Sequence, residues 1–117
     1  MERDERLEVE QVIWLATVRS DCRPHLVPIW FIWLDEKFYI CTGRSSVKAR
    51  NLLKNPLASI SLQDGVTPVA AECVARQVPA PYPPQLVEAF FRKYEWRIDQ
   101  DQQYDTVFEL TPQKWPF

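Results

Sequence analysis

A chain of 117 residues with a net charge of −2, 46% hydrophobic and 26% charged residues, is ordinary material for one globular domain spanning 1–117. That charge balance excludes a general nucleic-acid binder. The longest apolar run, residues 26–34, has nine members with a proline inside, against the roughly 20 of a membrane helix, so no membrane span is expected.

The first residues, "MERDERLEVEQ", are charged and lack the apolar centre of a secretory signal. Three cysteines, Cys22, Cys41 and Cys73, are scattered without CxxC spacing. Reduced thiols, a cytoplasmic location and no metal site are the expectation. A loosely periodic helix over 3–12 opens the chain, followed by a strand at 13–20 and a long strand at 24–35. A third strand, 37–43, closes at Gly43. Helix signals come next: Ser45 or Ser46 as N-cap, then "VKARNLLKN", stopped by Pro56. The alternating run 57–63, a turn at Asp64-Gly65 and a strand at 68–78 follow. Beyond the proline connector 78–84, residues 83–96 form the best amphipathic helix, with Leu86, Phe90 and Tyr94 along one face. The polar stretch 97–105 reads as a solvated loop, and 104–111 as the last strand. Short antiparallel strands with small helical insertions predict a closed or nearly closed barrel, not a doubly wound parallel sheet.

The strand at 24–35 is apolar on both faces. His25, Val27, Ile29, Phe31 and Trp33 lie on one, and Leu26, Pro28, Trp30, Ile32 and Leu34 on the other. A barrel wall needs only its inner face apolar, so something dry covers the outside: the 83–96 helix, a partner subunit or a flat ligand. Pro28 donates no ladder hydrogen bond, which makes the strand an edge or locally unpaired.

The segment "CTGRSSVKARNLLKNP", residues 41–56, places Arg44, Lys48, Arg50 and Lys54 beside two serines at a helix start. A helix N-terminus has unpartnered N–H groups and a partial positive charge, so Lys48 in the first turn opposes the dipole. A bound phosphate would remove that conflict. The competing reading is a solvated helix face, and it fits Lys54 best.

Residues 14–64 resemble the FMN-binding split-barrel family, the pyridoxamine 5'-phosphate oxidase-like proteins. The likeness lies in "LATV", the "RPHLVPIWF" strand, the "YICT" strand end, the "SVKARNL" helix start and the "NP" before the next strand. It implies a mainly β fold, a six-stranded antiparallel split β-barrel with two or three short flanking helices, working as a homodimer with FMN at the subunit interface. By motif, Ser46 and Lys48 would hold the FMN phosphate with Arg50 as helper, and Thr42 would end the strand leading into that grip. Val27, Pro28, Ile29 and Trp30 would line the isoalloxazine, His25 would lie near the ring, and Trp115 would touch cofactor or substrate. The implied activity is an FMN-dependent oxidoreductase acting on a small molecule, with a nicotinamide as one candidate electron donor. A deazaflavin is the alternative cofactor, and a non-catalytic flavin, haem or tetrapyrrole module the alternative function. The basic extension with which pyridoxamine-phosphate oxidases grip their substrate has no counterpart after "KWPF", so that particular reaction is not expected.

Overall fold

The computed structural model covers residues 1–117. Its elements run α1 (Arg3–Val9), β1 (Val12–Val18), β2 (Pro24–Trp30), β3 (Ile32–Leu34), β4 (Lys37–Thr42), α2 (Val47–Lys54), β5 (Leu57–Leu62), β6 (Ala70–Val78), α3 (Pro84–Tyr94), a short 3-10 helix (Ile98–Gln100) and β7 (Thr106–Lys114). The fold is mainly β with three helices, as the sequence leads one to expect.

All seven strands form one antiparallel sheet in the order β2-β1-β5-β6-β7-β4-β3. The two edge strands, β2 and β3, are consecutive in the chain and joined through Phe31 alone. One residue spans only about 3.5 Å, so the sheet must curl until its edges meet. The result is a split barrel. Strand count is seven instead of six because the expected 24–35 strand breaks at Phe31, whose residue sits in neither ladder. Pro28 sits on an edge strand, opposite Trp14 of β1. Its missing N–H therefore costs no inner ladder.

Inside the curl lies one core, built on Phe31, Phe38, Ile40, Ile60, Phe108 and Leu110, with Leu7 of α1 and Leu52 of α2 closing it. A second cluster lies under α3, where Leu86 and Phe90 pack on Ile32, Val78 and Val107. The 3.6-residue period explains α3: Leu86 and Phe90 are buried four apart, and Glu95 in the left-handed conformation (φ 54°) ends the helix. The 97–105 stretch is not simply solvated, because Ile98 is fully buried in that second cluster.

Apart from Trp30, on which Tyr94 of α3 stacks, the outer face of β2 and β1 is left without a helix over it. Trp14, Leu26, Pro28, Leu57 and Val74 share that face by register. Of the face expected to need a dry cover, α3 covers the far end, at Trp30, Ile32 and Leu34, but Leu26 is 61% exposed and Leu57 58%, so α3 does not cover the rest. No helix is long and apolar enough to cross a membrane.

Candidate functional site

The end of β4 hands the chain to α2 through a compact polar corner. Ser46 is the N-cap residue, and its Oγ accepts from the Ala49 N–H at 3.2 Å. Buried Thr42, at the end of β4, donates its hydroxyl to the same Oγ at 3.1 Å. Having accepted twice, the Ser46 hydroxyl keeps its own proton free to donate. The next two backbone N–H groups, Val47 and Lys48, have no acceptor in the protein. No acid stands in the first turn of α2. Its N-terminus thus offers one hydroxyl and two N–H donors with no internal anion to receive them.

Lys48 adds a cation. It is half-buried and makes no ion pair. Burial alone pushes its ammonium below the usual lysine value. A desolvated cation beside unpartnered donors is an expensive arrangement unless an anion completes it. His25 is close enough to feel Lys48. Desolvation, then the charges of Arg19 and Lys48, lower its value, so the ring is neutral at pH 7. Its Nδ1 is covered and has no hydrogen-bond partner.

A groove of about 540 Å³ opens beside this corner, within the range of small-molecule sites. It is lined by Pro28, Ile29 and Trp30 of β2, Cys41 of β4, Lys48 of α2, and the segment after α3 that supplies Glu95, Trp96, Asp101 and Tyr104. The segment is built by Asp101, which accepts from the Gln103 and Tyr104 N–H groups and from Trp96 Nε1 at 3.0 Å. Those hydrogen bonds, Tyr104's first, hold its carboxyl below the ordinary carboxylate range. Trp96 meets Trp30 edge-on at 6.0 Å and Tyr104 at 5.6 Å. The Cys41 thiol is pushed up to about 12 by burial and by Asp101 and Asp105, and donates to the Tyr104 carbonyl. It is therefore a neutral thiol, neither nucleophile nor thiolate ligand at pH 7.

Four of the residues singled out from sequence thus share one groove: Pro28, Ile29, Trp30 and Lys48. Ser46 and Thr42 stand behind Lys48 as the cap of its helix. Val27 and His25 alternate onto the half-buried side of β2, with Val27 opposite Leu15. Arg50 is not in this groove. It faces a shallow depression with Arg19 and Lys54, because positions 47, 50, 51 and 54 form one side of α2 and position 48 another. Trp115 also lies elsewhere, packed edge-on against Trp33 at 5.9 Å with the Arg3 guanidinium 4.0 Å over its ring. Cys41, Glu95, Trp96, Asp101 and Tyr104 are the groove residues that sequence reasoning missed. No group of three or more His, Cys, Asp or Glu side chains is placed to hold a metal ion.

Several solved structures share this fold. HutZ, the heme storage protein of Vibrio cholerae, aligns with a TM-score of 0.81 at 23% identity, covering 95% of this chain and 87% of its own. An F420 reductase aligns at 0.77 and 21% identity, covering 98% and 97%. A FAD-binding protein of Mesorhizobium loti aligns at 0.72 and 15% identity, covering 96% and 86%. At such identities the likeness is one of fold. No curated protein matches the chain in sequence. The family described as pyridoxamine 5'-phosphate oxidase has a sequence model that matches residues 2–117. By that match along nearly its whole length, on a split barrel, this chain belongs to the pyridoxamine 5'-phosphate oxidase family.

Proposed function

We propose that this protein binds FMN and works as a flavin-dependent oxidoreductase on a small substrate. The observation that carries the reading is one juxtaposition: an unpaired, half-buried Lys48 at a helix N-terminus with free donors, in the same groove as the apolar edge formed by Pro28, Ile29 and Trp30. A phosphate satisfies the first half and a flat ring the second. Lys48, the Ser46 hydroxyl and the Val47 and Lys48 N–H groups would hold the phosphate. The backbone and side chains from Pro28 to Trp30 would face the isoalloxazine, and Trp96 and Tyr104 would shield it from water. The flavin, when bound, supplies the hydride chemistry, so the chain itself needs no strong acid or base. A deazaflavin with a phosphate tail fits the same donors.

Haem is the second reading, favoured by the shared fold with a heme storage protein. Against it, no histidine lines the groove and its one cysteine is a neutral thiol. Flavin therefore stands first.

The exposed apolar face supports a homodimer. Trp14, Leu26, Leu57 and Val74 would be covered by the same face of a second copy. Leu26→Glu with Trp14→Glu should convert the protein to a monomer in analytical ultracentrifugation. A wild-type protein that sediments as a monomer would remove this part of the proposal.

Reconstitution tests the function. With FMN added, the protein should show a bound-flavin visible spectrum that bleaches with a nicotinamide donor and recovers in air. A bound spectrum that no donor bleaches would mark a binding module instead of an enzyme.

A further inference from the structure

The break at Phe31 exposes how the groove wall is held. Phe31 is fully buried, yet its peptide belongs to neither neighbouring ladder. The last turn of α3 supplies the missing partners. The Phe31 N–H donates to Tyr94 Oη at 2.9 Å, and the Lys93 ammonium donates to the Phe31 carbonyl at 3.2 Å. Tyr94 Oη also lies 2.7 Å from the carbonyls of Phe31 and Gln11, and its single proton serves one of them at a time. Lys93 Nζ covers the Phe31 ring at 4.0 Å.

The same tyrosine reaches the groove indirectly. Its ring stacks on the Trp30 indole with centroids 4.4 Å apart and planes 7° from parallel. Trp30 lines the groove, and Tyr94 does not. One side chain therefore fixes two things: the peptide that follows Trp30, through its hydroxyl, and the Trp30 indole, through its ring. Trp30 is 47% exposed on an edge strand. Without the stack only the edge-on contact with Trp96 would restrain its rotamer before a ligand arrives.

We infer that Tyr94 is the positioning residue of the groove, holding Trp30 as a pre-ordered flat wall for a planar ring. The inference rests on the flavin reading and deepens it. Ordering one large side chain on binding costs roughly two- to tenfold in affinity, and Tyr94 removes that cost in the free protein. The hydroxyl fixes the peptide, so the ring and the hydroxyl contribute separately.

A double-mutant cycle tests it. FMN affinity is measured by flavin fluorescence on wild type, Tyr94→Leu, Trp30→Leu and the double variant, beside near-ultraviolet circular dichroism of the free proteins. Tyr94→Leu should weaken FMN about tenfold in the wild-type background and at most twofold when Trp30 is already leucine. Trp30→Leu and Tyr94→Leu should each abolish the same part of the dichroism. Tyr94→Phe keeps the stack, so it should keep that dichroism and most of the affinity. It also decides the question should Tyr94→Leu fail to fold, because dichroism lost on removing the hydroxyl alone would contradict a ring-borne role. Equal weakening with and without Trp30, or unchanged affinity in folded Tyr94→Leu, would overturn the inference. Should wild type bind no FMN, the flavin reading fails, and the dichroism cycle still decides the positioning: coupled signals support it and additive ones refute it.

Discussion

Two polar clusters sit on β4 and its surroundings, and they differ in one respect. Glu109 on β7 is nearly buried, and every partner it needs is inside the protein. Tyr39 donates to it at 3.0 Å, Arg76 reaches both carboxylate oxygens at 3.3–3.4 Å, and Lys37 stands 3.7 Å away. Burial is the largest influence and pushes its carboxyl up. The Arg76 and Tyr39 hydrogen bonds and the charges of Arg76 and Lys37 together outweigh it and hold the group below its ordinary range. At the far end of β4 the balance is reversed. Lys48, the free Ser46 proton, the Val47 and Lys48 N–H groups and His25 Nδ1 are all short of partners. A polar network that closes on itself is architecture; the open one is what the proposed phosphate would complete.

The sharpest way to break this contrast is to remove the open cluster. Lys48→Ala with Ser46→Ala should weaken FMN binding about 100-fold in a fluorescence titration, from loss of roughly 3 kcal/mol of charge-assisted and hydroxyl hydrogen bonding. The fold should survive, losing about 1 kcal/mol for the missing N-cap. Glu109→Ala should do the opposite. FMN affinity should hold, while urea denaturation shows a loss of about 1–2 kcal/mol, chiefly from the orphaned Tyr39 hydroxyl. The loss is modest because the Arg76 side chain is 64% exposed and finds water. The sign of its pH dependence follows. A carboxyl depressed by folding contributes stability above its unfolded value and loses it as pH falls through its folded value. The gap between wild type and Glu109→Ala should therefore shrink as pH drops below about 4.5.

Much of this architecture is local and so was readable from sequence. β-Branched and aromatic residues located β1, Gly43 closed β4, alternation located β5, and a serine N-cap at 45 or 46 with Pro56 bracketed α2. Lys48 in a first helical turn announced an unresolved charge before any fold was known. What stayed hidden depends on distant partners. The break at Phe31 is set by Tyr94, 63 residues later, and no window over 24–35 contains it. Asp101 and Tyr104 looked like parts of a solvated stretch because the segment is polar, and Trp96 like the last residue of the 83–96 helix. Yet Asp101 spends its carboxylate on its own loop and on Trp96, which turns the aromatic edges toward the groove. Arg50 and Lys48 are only two residues apart, and helix geometry sends them to different depressions. Trp115 was expected near the cofactor from its place at the chain end, whereas it packs on Trp33 and Phe38 at the margin of the barrel core.

The central claim is that the open end of α2 recognises a phosphate. Titrating the wild-type protein with FMN and with riboflavin, which has the same ring and no phosphate, tests it most directly. A preference for FMN of about 100-fold, matching the roughly 3 kcal/mol assigned to Lys48 and its neighbouring donors, is the predicted result. Equal affinity for the two flavins would contradict the account.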